Sequence, residues 1–137
     1  MIAQSTSYAI STTVDLPYEE AVVRTREALG KEGFGVLTEI DVRATLRKKL
    51  DVDFRPYIIL GACNPSLAHK ALSTELDIGL LLPCNVVVYA ADAPGRSVVA
   101  AMDPVVALAL SGSEGIRPLA AEVRVRLERV LADVRTT

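Results

Sequence analysis

Apolar residues recur along this chain at two periods, and the switches between them mark out its elements. "STSYAISTTVDL" alternates and carries β-branched residues, which predicts a strand over Ser5 to Val14. In "PYEEAVVRTREALGKEGF", Tyr18, Val22, Thr25 and Leu29 follow one another at spacings of four, three and four. That stripe predicts a helix, opened by Pro17 at its first position and ended by Gly33. "FGVLTEI" reads as a second strand. "DVRATLRKKL" reads as a shorter helix, capped by Asp41, with Val42, Leu46 and Leu50 along one side. The strongly apolar "PYIILGAC" predicts a central strand from Pro56 to Cys63, and a helix follows from Pro65 to about Thr74.

Two further runs of β-branched and small residues flank the turn residues Asp92-Ala93-Pro94-Gly95. They predict a hairpin with strands near Cys84 to Ala91 and Arg96 to Met102. Val105 to Leu110 fits a short helix or a strand, and "SGSEG" at Ser111 to Gly115 is a loop signal. The last helix has the clearest stripe: Leu119, Ala120, Val123, Leu127, Val130, Leu131 and Val134, with Arg124, Arg126, Glu128, Arg129 and Asp133 off it. The expected architecture is one domain spanning 1–137, α+β in class. It has two layers, a mixed or antiparallel sheet covered by helices, and a long C-terminal helix.

Composition narrows the function classes. Half of the 137 residues are hydrophobic, without Trp, so an aliphatic core can form without a disulfide or metal staple. The formal net charge of −2 gives no broad pull toward nucleic acid or anionic lipid, and the "RKK" run at Arg47 to Lys49 fits a solvated helix face. The longest apolar stretch, Ile78 to Ala91, is broken by Gly79, Pro83 and Asn85 and falls short of the roughly 18 residues of a membrane span. "MIAQSTSYAI" lacks the basic start and apolar run of a secretory signal. The expected setting is cytoplasmic, where two cysteines are free thiols.

The chemistry concentrates in "GACNPSLAHKAL", which holds one of the two cysteines and the sole histidine. Asn64-Pro65 is a helix-start signal, so Cys63 is expected where a buried strand meets a helix N-terminus. A thiol there gains a lowered pKa if the helix dipole dominates, or packs as a small hydrophobe if burial does. His69 falls well over 90° from the apolar cluster Leu67, Ala68, Ala71 and Leu72, which turns it away from any metal. Cys84 meets Cys63 at one end of the sheet if their strands are antiparallel neighbours, and lies about 20 Å off after a parallel crossover. Pairing Ala91 with Arg96 would set Cys84 opposite Asp103, either to orient a ligand or, as "DP" more often does, to cap the next segment. There is no CxxC, glycine-rich phosphate loop, HExxH or GxSxG.

"PYIILGACNPSLAHKAL", "LLPCNVVVY" and "VAAMDP" together resemble the small bacterial domain-of-unknown-function family numbered 302, over nearly the whole chain. The resemblance implies a compact α+β domain related to the TATA-binding-protein-like fold and able to self-associate, as a homodimer. It implies no reaction, cofactor or catalytic residue. Three functions follow as expectations. The first is a binding module for a small ligand or soft metal ion, with a pocket at Cys63, Asn64, Cys84, Asn85 and Asp103. Cys63 and Cys84 would hold the ion, as soft thiolates suit Cu(I) or Zn. The second is a thiol enzyme or redox protein with Cys63 as nucleophile and Cys84 as resolving thiol. The third is a structural, dimerising domain with both cysteines as core filler. The balance leans away from an enzyme.

Overall fold

In the computed structural model, which describes residues 6–135, the two periods resolve into alternating strands and helices. In chain order these are β1 (Ala9–Val14), α1 (Tyr18–Lys31), β2 (Gly35–Asp41), α2 (Val42–Leu50), β3 (Tyr57–Cys63), α3 (Pro65–Thr74), β4 (Cys84–Ala90), β5 (Ser97–Met102), α4 (Pro104–Ala107) and α5 (Arg117–Arg135). Single 3₁₀ turns at Leu76–Leu81 and Leu108–Ser111 complete the connections. The strands form one sheet in the spatial order β1-β5-β4-β3-β2, with every neighbouring pair antiparallel. No parallel crossover joins β3 to β4, so the mixed-sheet alternative is closed. The middle place belongs to β4, and β3 lies second from the edge.

The first strand starts later than its alternation suggests, at Ala9 after a turn at Ser7-Tyr8; Ser5 lies outside the described residues. Val105 to Leu110 is helical, because the Asp103 side chain and Pro104 nucleate a turn there. In the hairpin the Ala91 N–H donates to the Arg96 carbonyl at 3.0 Å, and the ladder runs on through Ala90↔Ser97 to Val86↔Ala101.

One face of the sheet carries the core. Ala62 faces Cys84, Leu60 faces Val86 and Val88 faces Val99, all buried. Against them pack Ala21, Ala28 and Leu29 of α1 and Val123, Leu127 and Val130 of α5. Leu29, Leu60 and Leu127 are wholly excluded from water, each stabilising the fold by about 2–3 kcal/mol relative to an exposed leucine. A smaller cluster of Ala71, Ile78, Leu108, Ile116 and Ala120 lies beneath the two 3₁₀ turns, and Leu119 packs against both clusters.

The segment from β2 through α2 departs from this economy. No residue between Gly35 and Arg55 is buried. The stripe Val42, Leu46 and Leu50 exists, but Leu50 is 65% exposed and α2 meets chiefly β2 and β3. Asp41 does cap the helix, accepting from the Ala44 N–H at 2.9 Å, and Arg47, Lys48 and Lys49 suit its C-terminal dipole. A cap contributes about 1 kcal/mol and dipole pairing about 0.3–1 kcal/mol. Ordering nine residues costs at least about 1 kcal/mol each, and isolated helices below about 12–15 residues are marginal in water. Local terms alone do not hold α2.

Candidate functional site

The antiparallel pairing of β3 with β4 puts Ala62 opposite Cys84, so both cysteine turns lie at one end of the sheet. There they help to wall a cavity of about 40 Å³. The wall continues through Asn64, Leu67, Ala68 and Ala71 from α3, and through Leu119 and Val123 from α5. Phe34, Leu82, Pro83 and Leu108 close it. One water centre occupies at least about 10–15 Å³, so the space takes about three carbon-sized centres. Its lining is almost wholly hydrocarbon, with small alanines where α3 approaches the sheet; such a cavity favours an apolar occupant.

Asn64 does what its sequence context asks. Its Oδ1 accepts from the Leu67 N–H at 3.2 Å, capping α3, while its amide nitrogen lies against Gly33. Gly33 has φ +83°, and a Cβ there would stand 3.0 Å from that nitrogen. With the capping oxygen committed and the amide held against the turn, Asn64 serves the wall as a fixed post.

The thiols depart from the activated reading. Burial pushes the Cys63 thiol up from its ordinary value, so lost hydration outweighs the helix terminus two residues ahead. Cys84 is pushed up to about 11, first by burial and then by the neighbouring Cys63. Both cysteines are free and protonated at neutral pH, the opposite of a lowered-pKa nucleophile. Register also opposes a disulfide. Cys84 stands opposite Ala62, one place along from Cys63, and successive side chains of a strand leave opposite faces.

The remaining candidates disperse. Asn85 is exposed and leaves the face opposite to Cys84, beside Gly61. His69 is exposed on the outer side of α3. Continuing the hairpin register sets Asp103 opposite Cys84, yet its carboxylate serves two other partners: it accepts from the Val105 N–H at 2.9 Å and meets Arg124 Nη1 at 2.9 Å. Neither Asn85 nor Asp103 belongs to the cavity wall. Among the described residues, no three His, Cys, Asp or Glu side chains come together in a metal-holding group. Asp103→Ala should cost about 2–3 kcal/mol, the sum of a lost cap and a buried carboxylate's partner, discounted because Arg124 is 40% exposed. Asp103→Asn keeps the cap and should recover about 1 kcal/mol of that in urea unfolding. Equal losses for the two variants would refute the capping role.

The wall residues from α3 belong to the apolar cluster visible in the sequence. Phe34, Leu108 and Val123 arrive from distant segments, and nothing in their local sequence marks them as cavity residues.

The model of the family described as "Domain of unknown function DUF302" matches residues 10–134. The chain belongs to this family. The DUF302 fold seen here is similar to the crystal structure of an uncharacterized conserved DUF302 protein from Bacillus stearothermophilus. That structure is 30% identical, with a TM-score of 0.87, over 95% of this chain and 100% of the other. No curated protein matches the chain. The matched span runs from β1 into the last turn of α5, so the whole sheet, the cysteine turns and the cavity lie within the DUF302 unit. Among the described residues, no helix is long and apolar enough to cross a membrane.

Proposed function

We propose that this DUF302 chain is a binding module whose site is the cavity between α3, α5 and the cysteine ends of β3 and β4. Its ligand is a molecule that inserts a compact apolar group, such as the end of an alkyl chain, and leaves its polar part outside. The carrying observation is the lining: one hydrocarbon wall around about 40 Å³, in which the buried, neutral Cys84 thiol serves as an apolar group. A cytoplasmic setting suits two cysteines that remain free.

A soft metal ion is the second reading, favoured by one fact: the thiols are near enough for Cys63 to raise the Cys84 pKa. An ion such as Cu(I) would have to displace both protons, with no third His, Cys, Asp or Glu grouped with them among the described residues. The thiol-enzyme reading has less support, since neither sulfur is activated and the register keeps them from bridging.

Methyl-resolved NMR, with linear alcohols from propanol to hexanol as probes, tests the apolar reading. Shifts should concentrate on Leu67, Leu82, Leu119 and Val123, and should vanish in Ala71→Leu, which fills the space at a cost of about 1–3 kcal/mol. Shifts scattered elsewhere, or unaffected by the filling variant, refute it. A metal retained by the purified protein in native mass spectra and lost with Cys84→Ala would transfer the site to the second reading.

A further inference from the structure

With the cavity as the binding site, on which this rests, we propose that its ligand is a free single-chain amphiphile. Its alkyl chain fills the cavity and then runs outward along the crease between α3 and the 3₁₀ turn Leu76–Leu81. Ala68 on one side, and Leu82 and Pro83 on the other, belong to the cavity wall and are half-buried, so the hydrocarbon lining reaches the surface between them. Leu72 follows Ala68 by one helical turn and carries the same face of α3 outward. Across from it the polypeptide returns through Gly79 and Leu80 toward Pro83. A Cβ at Gly79 would stand 3.7 Å from Leu72 Cδ2, so the glycine floors the crease where the two elements meet. Beyond it, Leu76 and Leu80 are 84% and 86% exposed. Apolar side chains standing in water beside a hydrocarbon opening gain by closing over a chain laid there.

Dimensions select the occupant. A partner's helix is about 10–12 Å across and needs a trough, whereas this crease closes to van der Waals contact at Gly79. An extended alkyl chain is one methylene wide. From Ala68 to Leu72 is roughly 6 Å, or about five carbons at bonds of about 1.5 Å, beyond the three or so that the cavity holds. The ligand therefore carries an unbranched chain of about eight carbons or more. Charge then sets the source. Glu75, which accepts from the Ser111 hydroxyl at 3.0 Å, and Asp77 flank Leu76 at the far end of the track. Two carboxylates there oppose the surface of an anionic bilayer and suit a dispersed amphiphile whose head is uncharged or cationic.

Methyl NMR titrations of the full chain with linear alcohols from propanol to decanol, each below its solubility limit, test the proposal. Affinity should rise about two- to fourfold for every added methylene through octanol, the gain for a methylene leaving water. As the chain passes hexanol, shifts should spread from Leu82 to Leu72, Leu76 and Leu80. Leu72→Ser and Leu80→Ser, both at exposed positions, should each weaken octanol at least about fivefold and leave propanol within about twofold of wild type. Leu50→Ser, on α2, should change neither. An affinity that levels off at butanol while the cavity shifts persist overturns the proposal and leaves the cavity reading standing; no cavity shift with any alcohol overturns both. A length dependence that survives both serine variants also overturns it, as does a dimer of the unliganded wild type that Leu80→Ser dissociates in light scattering.

Discussion

Gly61→Ala should lose about 3 kcal/mol of stability and about 10 °C in Tm, among the largest effects of any one-carbon addition in the chain. Gly61 is buried on β3, opposite Thr38 of the edge strand and Asn85 of β4. A Cβ built there would lie 2.1 Å from Thr38 Oγ1 and 2.9 Å from Pro83 Cγ. Thr38 is β-branched and has few rotamers to retreat into, and the proline ring has none. Thr38→Ala removes the nearer obstacle, so the double variant should recover more than half of the loss, leaving the Pro83 contact as the remainder. Urea midpoints at constant m-value measure both. A Gly61→Ala protein within about 0.5 kcal/mol of wild type would show that this end of the sheet is looser than its packing indicates.

That glycine also marks the boundary between what the sequence displays and what only the fold reveals. In "PYIILGACNP" the strand, the cap and the helix start are all local signals, and each appears where its chemistry requires. Asn64 accepts from Leu67, Pro65 opens α3, and the hairpin register follows from a single turn. Why position 61 must be glycine is not local, since the space for its side chain is taken by Thr38 and Pro83. Cys63 shows the same limit with opposite sign. Its place before a helix N-terminus was legible, and local electrostatics alone would have lowered its pKa. Desolvation by segments far away in sequence decides otherwise. Asp103 illustrates the gain from register: its position opposite Cys84 was derivable, but its partner Arg124, twenty-one residues on in α5, was not. Periodicity reports that a face is apolar without reporting what covers it. The stripe of α5 finds the core, whereas the equally regular Val42, Leu46 and Leu50 are covered only in part, the first two half-buried and Leu50 in water.

Cys84 should alkylate about 100-fold more slowly than an ordinary thiol at neutral pH, the consequence of a pKa held at about 11 instead of 9.0. Thiolate population falls tenfold for each unit, and a sulfur covered by the core is slower still to reach. The same shift fixes the sign of a pH effect on stability. The folded chain keeps the Cys84 proton through the interval in which the unfolded chain releases it. The contribution is therefore complete below about pH 9 and is lost as pH rises toward 11, reaching roughly 2–3 kcal/mol at the upper end. Cys84→Ala has no proton to release, so its stability curve should stay flatter across that window even if its packing loss makes it less stable at pH 7. Iodoacetamide kinetics, with each cysteine followed separately by mass spectrometry, give the first quantity; urea midpoints from pH 7 to 10.5 give the second. Rapid alkylation of Cys84 at pH 7 under conditions where the chain stays folded would mean that water reaches the sulfur. The cavity would then be a wet thiol site rather than a hydrocarbon one, and the ligand it suits would change from an alkyl group to a thiophilic ion.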